Sequence, residues 1–163
     1  MYDNYIEQYG KRLFGLCITL CRNRSEAEDL YQDTWLKAYE KIDQYKVDSP
    51  FEPWLTAIAV NLFRDRLRRS RSSPIYDSYP TAEDKEKAME SISAVEKQDY
   101  SYVRDAVEQL PNKLRTTVIL HYYNDFDVRQ TAEILKIPEG TVKSRLNKAR
   151  VLLKEALHDE VDF

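Results

Sequence analysis

Apolar residues recur at helical spacing in three stretches of the first 71 residues, with polar residues between them. The stretches carry Tyr5, Ile6, Tyr9, Leu13, Leu16, Cys17 and Leu20, then Leu30, Tyr31, Trp35, Ala38, Tyr39 and Ile42, then Phe51, Trp54, Leu55, Ile58, Ala59, Leu62, Phe63 and Leu67. This spacing gives each helix one face to bury. Ser25 and Glu28 have the spacing of a capping box and predict the start of the second helix. Residues 1–71 are therefore predicted to form a three-to-four-helix domain.

A second helical pattern begins near residue 100 and ends in a helix-turn-helix. Asp127 and Gln130 have the spacing of a capping box, and Pro138 closes the turn because proline cannot extend the preceding helix. The last helix is predicted from about Glu139 to Leu157. Its apolar stripe consists of Val142, Leu146, Ala149 and Leu153. A short helix, a tight turn and a second helix are typical of a DNA-reading motif.

Between these patterns, residues 72–99 are rich in serine, proline and acidic side chains, with seven acids against three lysines. This composition is typical of a flexible connector. We therefore predict an all-α protein with two small helical domains, at residues 1–71 and 100–163, joined by an acidic flexible linker at residues 72–99.

The distribution of charge points to nucleic acid. The net charge is −3, yet six basic residues lie between positions 136 and 154, where Glu139 is the only acid. Five arginines lie between positions 64 and 71, against the single acid Asp65. Basic faces of this kind bind phosphates. The alternatives are a solvated basic face on the last helix and, for the arginines, stabilisation of a helix C-terminus.

The remaining chemistry is sparse. Cys17 and Cys21 are four residues apart, which is too few ligands for a structural zinc, so buried thiols are the default and a redox or metal role stays open. His121 and His158 are isolated, and no catalytic, metal or cofactor site is predicted. No apolar run is long enough to span a bilayer, and no signal peptide opens the chain, so we expect a cytoplasmic protein without membrane insertion of its own.

Three stretches together resemble the extracytoplasmic-function (ECF) sigma factors of bacteria. Residues 27–39 resemble the family's polymerase-docking region. Residues 51–61, with Asp65, Arg68 and Arg69, resemble its promoter-melting helix. Leu110-Pro111 with Arg115 and Val118, followed by residues 138–145, resembles its fourth region. The order and spacing of the three make the resemblance specific, and it covers nearly the whole chain.

The resemblance implies an initiation factor that binds the RNA polymerase core through its β′ and β subunits and reads promoter DNA as duplex and as melted strand. It implies polymerase docking by Asp29, Gln32, Asp33 and Lys37. It assigns the −10 element to Tyr45, Lys46, Ser49 and Phe51 in a base-capturing loop and to Asn61, Arg64, Arg68 and Arg69 along a phosphate track. It assigns the −35 element to Thr141, Lys143, Ser144, Arg145 and Lys148, with Arg129 and Gln130 as backbone contacts. For Phe51 and Trp54, core packing is favoured over stacking on a base.

The resemblance also implies control by an anti-sigma factor, often membrane-bound in this family. The chain departs from the family pattern in two places. Lys136 holds a turn position where glycine is usual, and a left-handed conformation there would cost a lysine about 1 kcal/mol. Arg129 and Gln130 replace an acidic pair. The rival interpretations are a conventional helix-turn-helix regulator, which would bind duplex DNA unaided, and an enzyme acting on nucleic acid.

Overall fold

The computed structural model describes residues 2–70 and 101–158, with the side chain of Ser101 left out. The chain divides into two compact units, Met1–Ala94 and Val95–Phe163. All regular elements of the described residues are helices, which confirms the all-α prediction. The predicted linker and Arg71 lie outside the described residues. Within the described ranges, none of the helices combines the length and the apolar character that crossing a membrane requires.

Three α-helices and one short turn form the described part of the first unit. They are α1 (Tyr2–Leu20), α2 (Arg24–Lys41), a 3-10 turn (Ile42–Gln44) and α3 (Phe51–Ser70). Each helix contacts both of the others. The buried apolar side chains include Leu13, Leu16, Cys17, Leu20, Leu30, Trp35, Ala38, Phe51, Leu55, Ala59 and Val60. The predicted periodicity is therefore confirmed, because these residues belong to the three apolar stretches or lie beside them.

The start of α2 differs from the prediction. Asn23, rather than Ser25, is the N-cap, and its side chain accepts a hydrogen bond from the Glu26 backbone N–H at 2.8 Å. The Glu26 carboxylate accepts from the Arg22 backbone N–H at 3.3 Å. Ser25 lies inside the helix and is exposed. The prediction of a cap at Ser25 is wrong because Asn23 and Glu26 satisfy the free N–H groups two residues earlier.

Four α-helices, with a π-helical turn after the second, form the described part of the second unit. The α-helices are α4 (Ser101–Glu108), α5 (Asn112–Val118), α6 (Val128–Leu135) and α7 (Glu139–Leu157). Their common core contains Val107, Leu110, Leu114, Val118, Ala132, Val142, Leu146 and Ala149, with Leu153 packed against it. The predicted bounds and apolar stripe of α7 are confirmed.

The turn after α5 was not predicted. Ile119–Tyr123 continues the helix as one wider π turn, in which the carbonyl of Ile119 accepts from the backbone N–H of Asn124 at 3.1 Å. The side-chain amide of Asn124 donates to the same carbonyl at 3.0 Å. Asp125 follows with a positive φ of 58°. The amide and this left-handed residue end the helix and lead the chain into α6.

Candidate nucleic-acid interface

The helix-turn-helix is built by local signals that the structure confirms. The Asp127 carboxylate accepts from the Gln130 N–H at 2.7 Å, and the Gln130 side chain accepts from the Asp127 N–H at 3.1 Å. At the other end of α6, Lys136 adopts the left-handed conformation, with φ 56° and ψ 47°. Pro138 is the N-cap residue of α7. This turn sets the direction in which the exposed face of α7 points.

Helix α7 brings together four of its five predicted −35 residues. At about 100° per residue, Thr141, Ser144, Arg145 and Lys148 occupy one arc of roughly 100° on the helix. Ser144 and Lys148 are exposed, and Thr141 and Arg145 are half-buried. Lys143 is exposed but lies about 150° from the middle of that arc, on the side of Arg150. The helix therefore sets Lys143 apart from the other four.

The two residues of α6 that are predicted to contact the DNA backbone already interact with other groups of the protein. Gln130 uses its carbonyl oxygen in the capping box. The Arg129 guanidinium pairs with Glu133 one turn later at 3.4 Å. This pair is largely exposed, so it is weak and exchanges readily with a phosphate. The prediction of a phosphate contact therefore stands for Arg129. Gln130, in contrast, has a structural role in capping α6.

An unpredicted polar cluster joins α7 to the π turn. Arg150 donates to the Tyr122 hydroxyl at 2.8 Å and to the Asn147 side-chain oxygen at 2.9 Å. Its guanidinium carbon lies 5.8 Å from the centre of the Tyr122 ring. Arg150 is thereby held against the protein surface, although sequence reasoning counted it only as one of six basic residues. The π turn, which the sequence pattern did not indicate, is what supplies Tyr122.

On α3 the basic side chains divide between two directions. Asn61, Arg64 and Arg68 lie within an arc of about 60°, and Arg69 lies about 80° beyond Asn61, on the side of Arg66. Arg68 pairs with Asp65 on the same helix. Arg66 points to α2, where it pairs with the Asp33 carboxylate and donates to the Glu26 carbonyl at 3.4 Å. The row that contains Asn61, Arg64 and Arg68 thus holds three of the four residues predicted for the phosphate track, with Arg69 set apart from them.

The predicted base-capturing loop lies between the 3-10 turn and α3. Lys46 and Ser49 are exposed, and Tyr45 is half-buried. Phe51 is only 3% exposed and stacks on Tyr5 at 4.2 Å between ring centroids. This burial favours core packing over base stacking for Phe51, because its faces are occupied by neighbouring aromatic rings. Trp54 is half-buried and packs on Phe51 at 5.4 Å.

The polar face of α2 carries the predicted docking residues. Asp29, Gln32 and Asp33 are exposed, while Lys37 is half-buried and pairs with Glu40 at 3.3 Å. Leu36 is 64% exposed, and at about 100° per residue its direction around the helix axis falls between those of Gln32 and Asp33. The face therefore has an apolar side chain at its middle and polar side chains around it, and sequence reasoning missed Leu36.

The cysteines belong to the core of the first unit. Cys17 is fully buried and Cys21 is 3% exposed, and neither forms a disulfide. Burial, with a smaller contribution from Cys21, raises the pKa of the Cys17 thiol far above its usual value. Across residues 2–70 and 101–158, His, Cys, Asp and Glu side chains form no group of three suited to holding a metal ion. The cysteines are thus the buried thiols that their spacing favoured.

Comparison with known families separates the chain into the same two parts. Residues 5–73 match the model of sigma-70 region 2. Residues 100–153 match the model of sigma-70 region 4. Together these matches cover more than half of the chain.

Individual relatives are similar over nearly the full length. The RNA polymerase sigma-H factor of Pseudomonas aeruginosa is 31% identical, over 96% of this chain and 86% of the relative. The ECF RNA polymerase sigma factor SigW of Bacillus subtilis is 29% identical, over 97% of this chain and 89% of the relative. Among solved structures, the sigma factor RpoE from Bartonella quintana, in complex with the anti-sigma factor NepR, superposes with a TM-score of 0.78 at 25% identity, covering 98% of both chains. The structure of CnrH in complex with the cytosolic domain of CnrY shares the fold, with a TM-score of 0.71 at 19% identity over 98% of this chain and 89% of that one.

Proposed function

The chain belongs to the ECF sigma-factor family of RNA polymerase, and from this premise we infer which surface serves each step of promoter-directed initiation. A protein of this family binds the polymerase core and directs it to promoters with −10 and −35 elements. The observation that carries the inference is that each unit holds its own basic helix, α3 in the first and α7 in the second. Two separate DNA-reading helices on one chain fit a two-part promoter.

The first unit, which we take as residues 1–71, docks on the polymerase through α2. Asp29, Gln32, Asp33 and Lys37 supply polar contacts around Leu36. Interfaces commonly have an apolar centre with a polar rim, and the centre supplies most of the binding free energy. Leu36 therefore anchors the contact, and the charged residues set its orientation.

The same unit takes the −10 element as separated strand. The loop that contains Tyr45, Lys46 and Ser49 lies next to the extruded base. Buried Phe51 packs against Tyr45 and so supports the loop. Asn61, Arg64, Arg68 and Arg69 follow the phosphates along α3. Binding a base outside the stack stabilises the open strand without any bond being made or broken. The protein is accordingly an initiation factor and not an enzyme, and it needs no cofactor.

The second unit, which we take as residues 100–163, reads the −35 element as duplex. Ser144, Arg145, Thr141 and Lys148 approach the bases and the adjacent phosphates from one arc of α7. Lys143 contacts phosphate from the other side, and Arg129 adds a phosphate contact from α6. Residues 72–99 connect the two units so that both promoter elements are reached by one chain.

We further propose that an anti-sigma factor controls this protein, because the Bartonella relative was solved with one. Such a partner competes with the polymerase for the exposed surfaces of the two units. The protein works in the cytoplasm, where the polymerase is, and any attachment to a membrane comes through that partner.

Run-off transcription with purified bacterial core polymerase tests this function. A library of promoter fragments is transcribed with and without the protein, and the initiated fragments are sequenced. Initiation that depends on the protein, with two shared sequence elements upstream of the start, is the expected result. Initiation that is independent of the protein, combined with tight binding of the protein alone to duplex DNA, would overturn it and leave a conventional helix-turn-helix regulator.

A further inference from the structure

The turn between the 3-10 helix and α3 is closed by hydrogen bonds at both ends. The Tyr45 N–H donates to the Ile42 carbonyl at 3.1 Å, which ends the 3-10 helix. The Ser49 N–H donates to the Lys46 carbonyl at 2.9 Å, which closes a four-residue turn. The Tyr45 hydroxyl then donates to the Ser49 carbonyl, across the base of that turn. Residues 46–49 therefore have one preformed shape.

The ring of Tyr45 fastens this turn to the folded core. It meets Phe51 edge-on at 5.2 Å between centroids and Trp54 at 5.1 Å. Phe51 is itself buried and stacked on Tyr5. Aromatic contacts of this kind contribute beyond the area that they bury. Both the ring and the hydroxyl of Tyr45 are thus used inside the protein.

The turn presents an apolar side chain to solvent. Val47 is 83% exposed, more than any other large apolar residue in the described parts of the chain. Its neighbours Lys46 and Asp48 are exposed too. A β-branched side chain has little rotational freedom to lose, so it is well suited to make a contact at the end of a fixed turn.

We propose that Tyr45 is a positioning residue rather than a base contact, and that it holds the 46–49 turn so that Val47 packs against an unpaired base of the −10 element. This inference rests on the proposed function. The face of a base is apolar, and proteins that open DNA commonly place apolar side chains against unstacked bases. A preformed turn makes that contact without an ordering cost at the moment of strand opening.

The test uses core polymerase with full-length variants and a fork-junction DNA that carries 2-aminopurine in the −10 element, whose fluorescence rises when the base unstacks. The hydroxyl is removed by Tyr45→Phe, which keeps the ring, and the apolar contact by Val47→Ser. Tyr9→Phe is the matched control for the first, because Tyr9 also meets Phe51, at 5.1 Å, but lies on α1 outside the turn. Val151→Ser is the control for the second, because Val151 is 56% exposed in the other unit.

We expect Tyr45→Phe to lower the yield of open complex about two- to ten-fold, as the loss of one hydrogen bond predicts. Val47→Ser should lower it about five-fold through the lost apolar contact. Both variants should relax base preference at the same single −10 position and leave the affinity for core polymerase within about two-fold of wild type. A general loss of fold cannot produce this pattern, because it would reduce core binding as well.

Three results would overturn the inference. These are wild-type base preference in both variants, a change at different −10 positions in the two, and a parallel fall in core affinity. If wild-type protein fails to support run-off transcription, the proposed function itself fails. If wild type initiates normally while the variants match their controls, only the role of the turn is wrong.

Discussion

The guanidinium of Arg66 on α3 is hydrogen-bonded to the carboxylate of Asp33 on α2. A second contact, to the Glu26 carbonyl, ties the same side chain to the start of α2. Arg66 therefore joins two helices, although it lies within the arginine-rich end of α3. Asp33 in turn is held in one orientation on the proposed docking face. The pair connects the helix proposed to dock on the polymerase with the helix proposed to follow the promoter strand.

This pairing predicts different consequences for two neighbouring arginines. Arg68→Gln removes a proposed phosphate contact, so the slope of log affinity against log salt for fork-junction DNA should become shallower by about 0.7–0.9. Arg66→Gln should leave that slope unchanged and lower the stability of the first unit by about 0.2–1 kcal/mol, as expected for a partly exposed ion pair. Salt titrations of the holoenzyme, with urea unfolding of the free protein, measure both. An unchanged slope in Arg68→Gln with a reduced slope in Arg66→Gln would contradict the division.

Leu36 predicts a defect in polymerase binding without a defect in folding. The side chain is already mostly exposed, so Leu36→Ser changes little in the folded free protein. Loss of an apolar anchor at the centre of an interface costs about 1.4 kcal/mol or more, a tenfold weaker affinity for the core. Fluorescence anisotropy of labelled protein titrated with core polymerase measures the affinity. Val151→Ser serves as the control for a lost exposed apolar residue, and equal behaviour of the two variants would remove Leu36 from the docking face.

The helix-turn-helix was predictable because its signals are local. Asp127, Gln130 and Pro138 act within one helical turn of their own positions, so spacing alone places both ends of α6 and the start of α7. The start of α2 was missed because Asn23 and Ser25 are both good caps, and the choice depends on Glu26 contacting the Arg22 backbone. Two nearby candidates of equal propensity cannot be ranked by pattern.

Of the features that escaped prediction, one follows from helical periodicity, and the others depend on contacts or backbone geometry that apolar spacing does not encode. The direction of Arg66 was recoverable from periodicity, since it lies about 140° from Asn61 around α3. The role of Tyr45 could not be predicted from the sequence, because its hydroxyl donates a hydrogen bond to a backbone carbonyl, which every residue has. The π turn that carries Tyr122 could not be predicted either. One extra residue in a helical turn does not alter the apolar spacing before it, and its effect shows only in the position of the next helix.

The left-handed Lys136 predicts a stabilising substitution. Lys136→Gly removes a conformational cost of roughly 1–2 kcal/mol, and part of that gain, about 0.4–1 kcal/mol, is offset by the greater freedom of glycine in the unfolded chain. The second unit should therefore become more stable by several tenths of a kcal/mol to about 1 kcal/mol. Hydrogen exchange of the buried α7 amides, at Val142 and Leu146, isolates this unit from the first. Asp125→Gly is the companion variant, and its gain should be smaller because aspartate tolerates φ 58° better than lysine does.

The position of the arc on α7 predicts which side chains set the sequence preference at the −35 element. Arg145→Lys keeps the charge but loses the bidentate geometry, so base preference at one −35 position should relax while the salt dependence stays the same. Lys143→Gln should weaken binding evenly across sequences and reduce the salt slope, because its side chain lies away from the proposed reading arc and is proposed to contact phosphate. Binding of the holoenzyme to a randomised −35 library gives both profiles. A shifted base preference in Lys143→Gln with none in Arg145→Lys would place the reading arc on the opposite side of the helix.

Buried Cys17 predicts an alkaline loss of stability in the first unit. Its folded pKa is raised by burial, while the pKa of an unfolded thiol is about 8.5. Above that pH the unfolded chain releases a proton that the folded chain keeps, so stability is complete below about pH 8.5 and declines as pH rises. The loss from this thiol is about 1.4 kcal/mol at pH 9.5 relative to neutral pH.

Urea unfolding followed by tryptophan fluorescence measures this loss, because both tryptophans of the chain, Trp35 and Trp54, lie in the first unit. The experiment is run with reductant at pH 7.5 and 9.5. Cys17→Ala is the control, because it lowers stability by a constant amount at both pH values through the lost packing but has no thiol to ionise. The wild type should lose about 1.4 kcal/mol more than this variant over the interval. Equal losses in the two proteins would mean that Cys17 ionises as readily in the folded unit as in the unfolded chain, against the burial that raises its pKa.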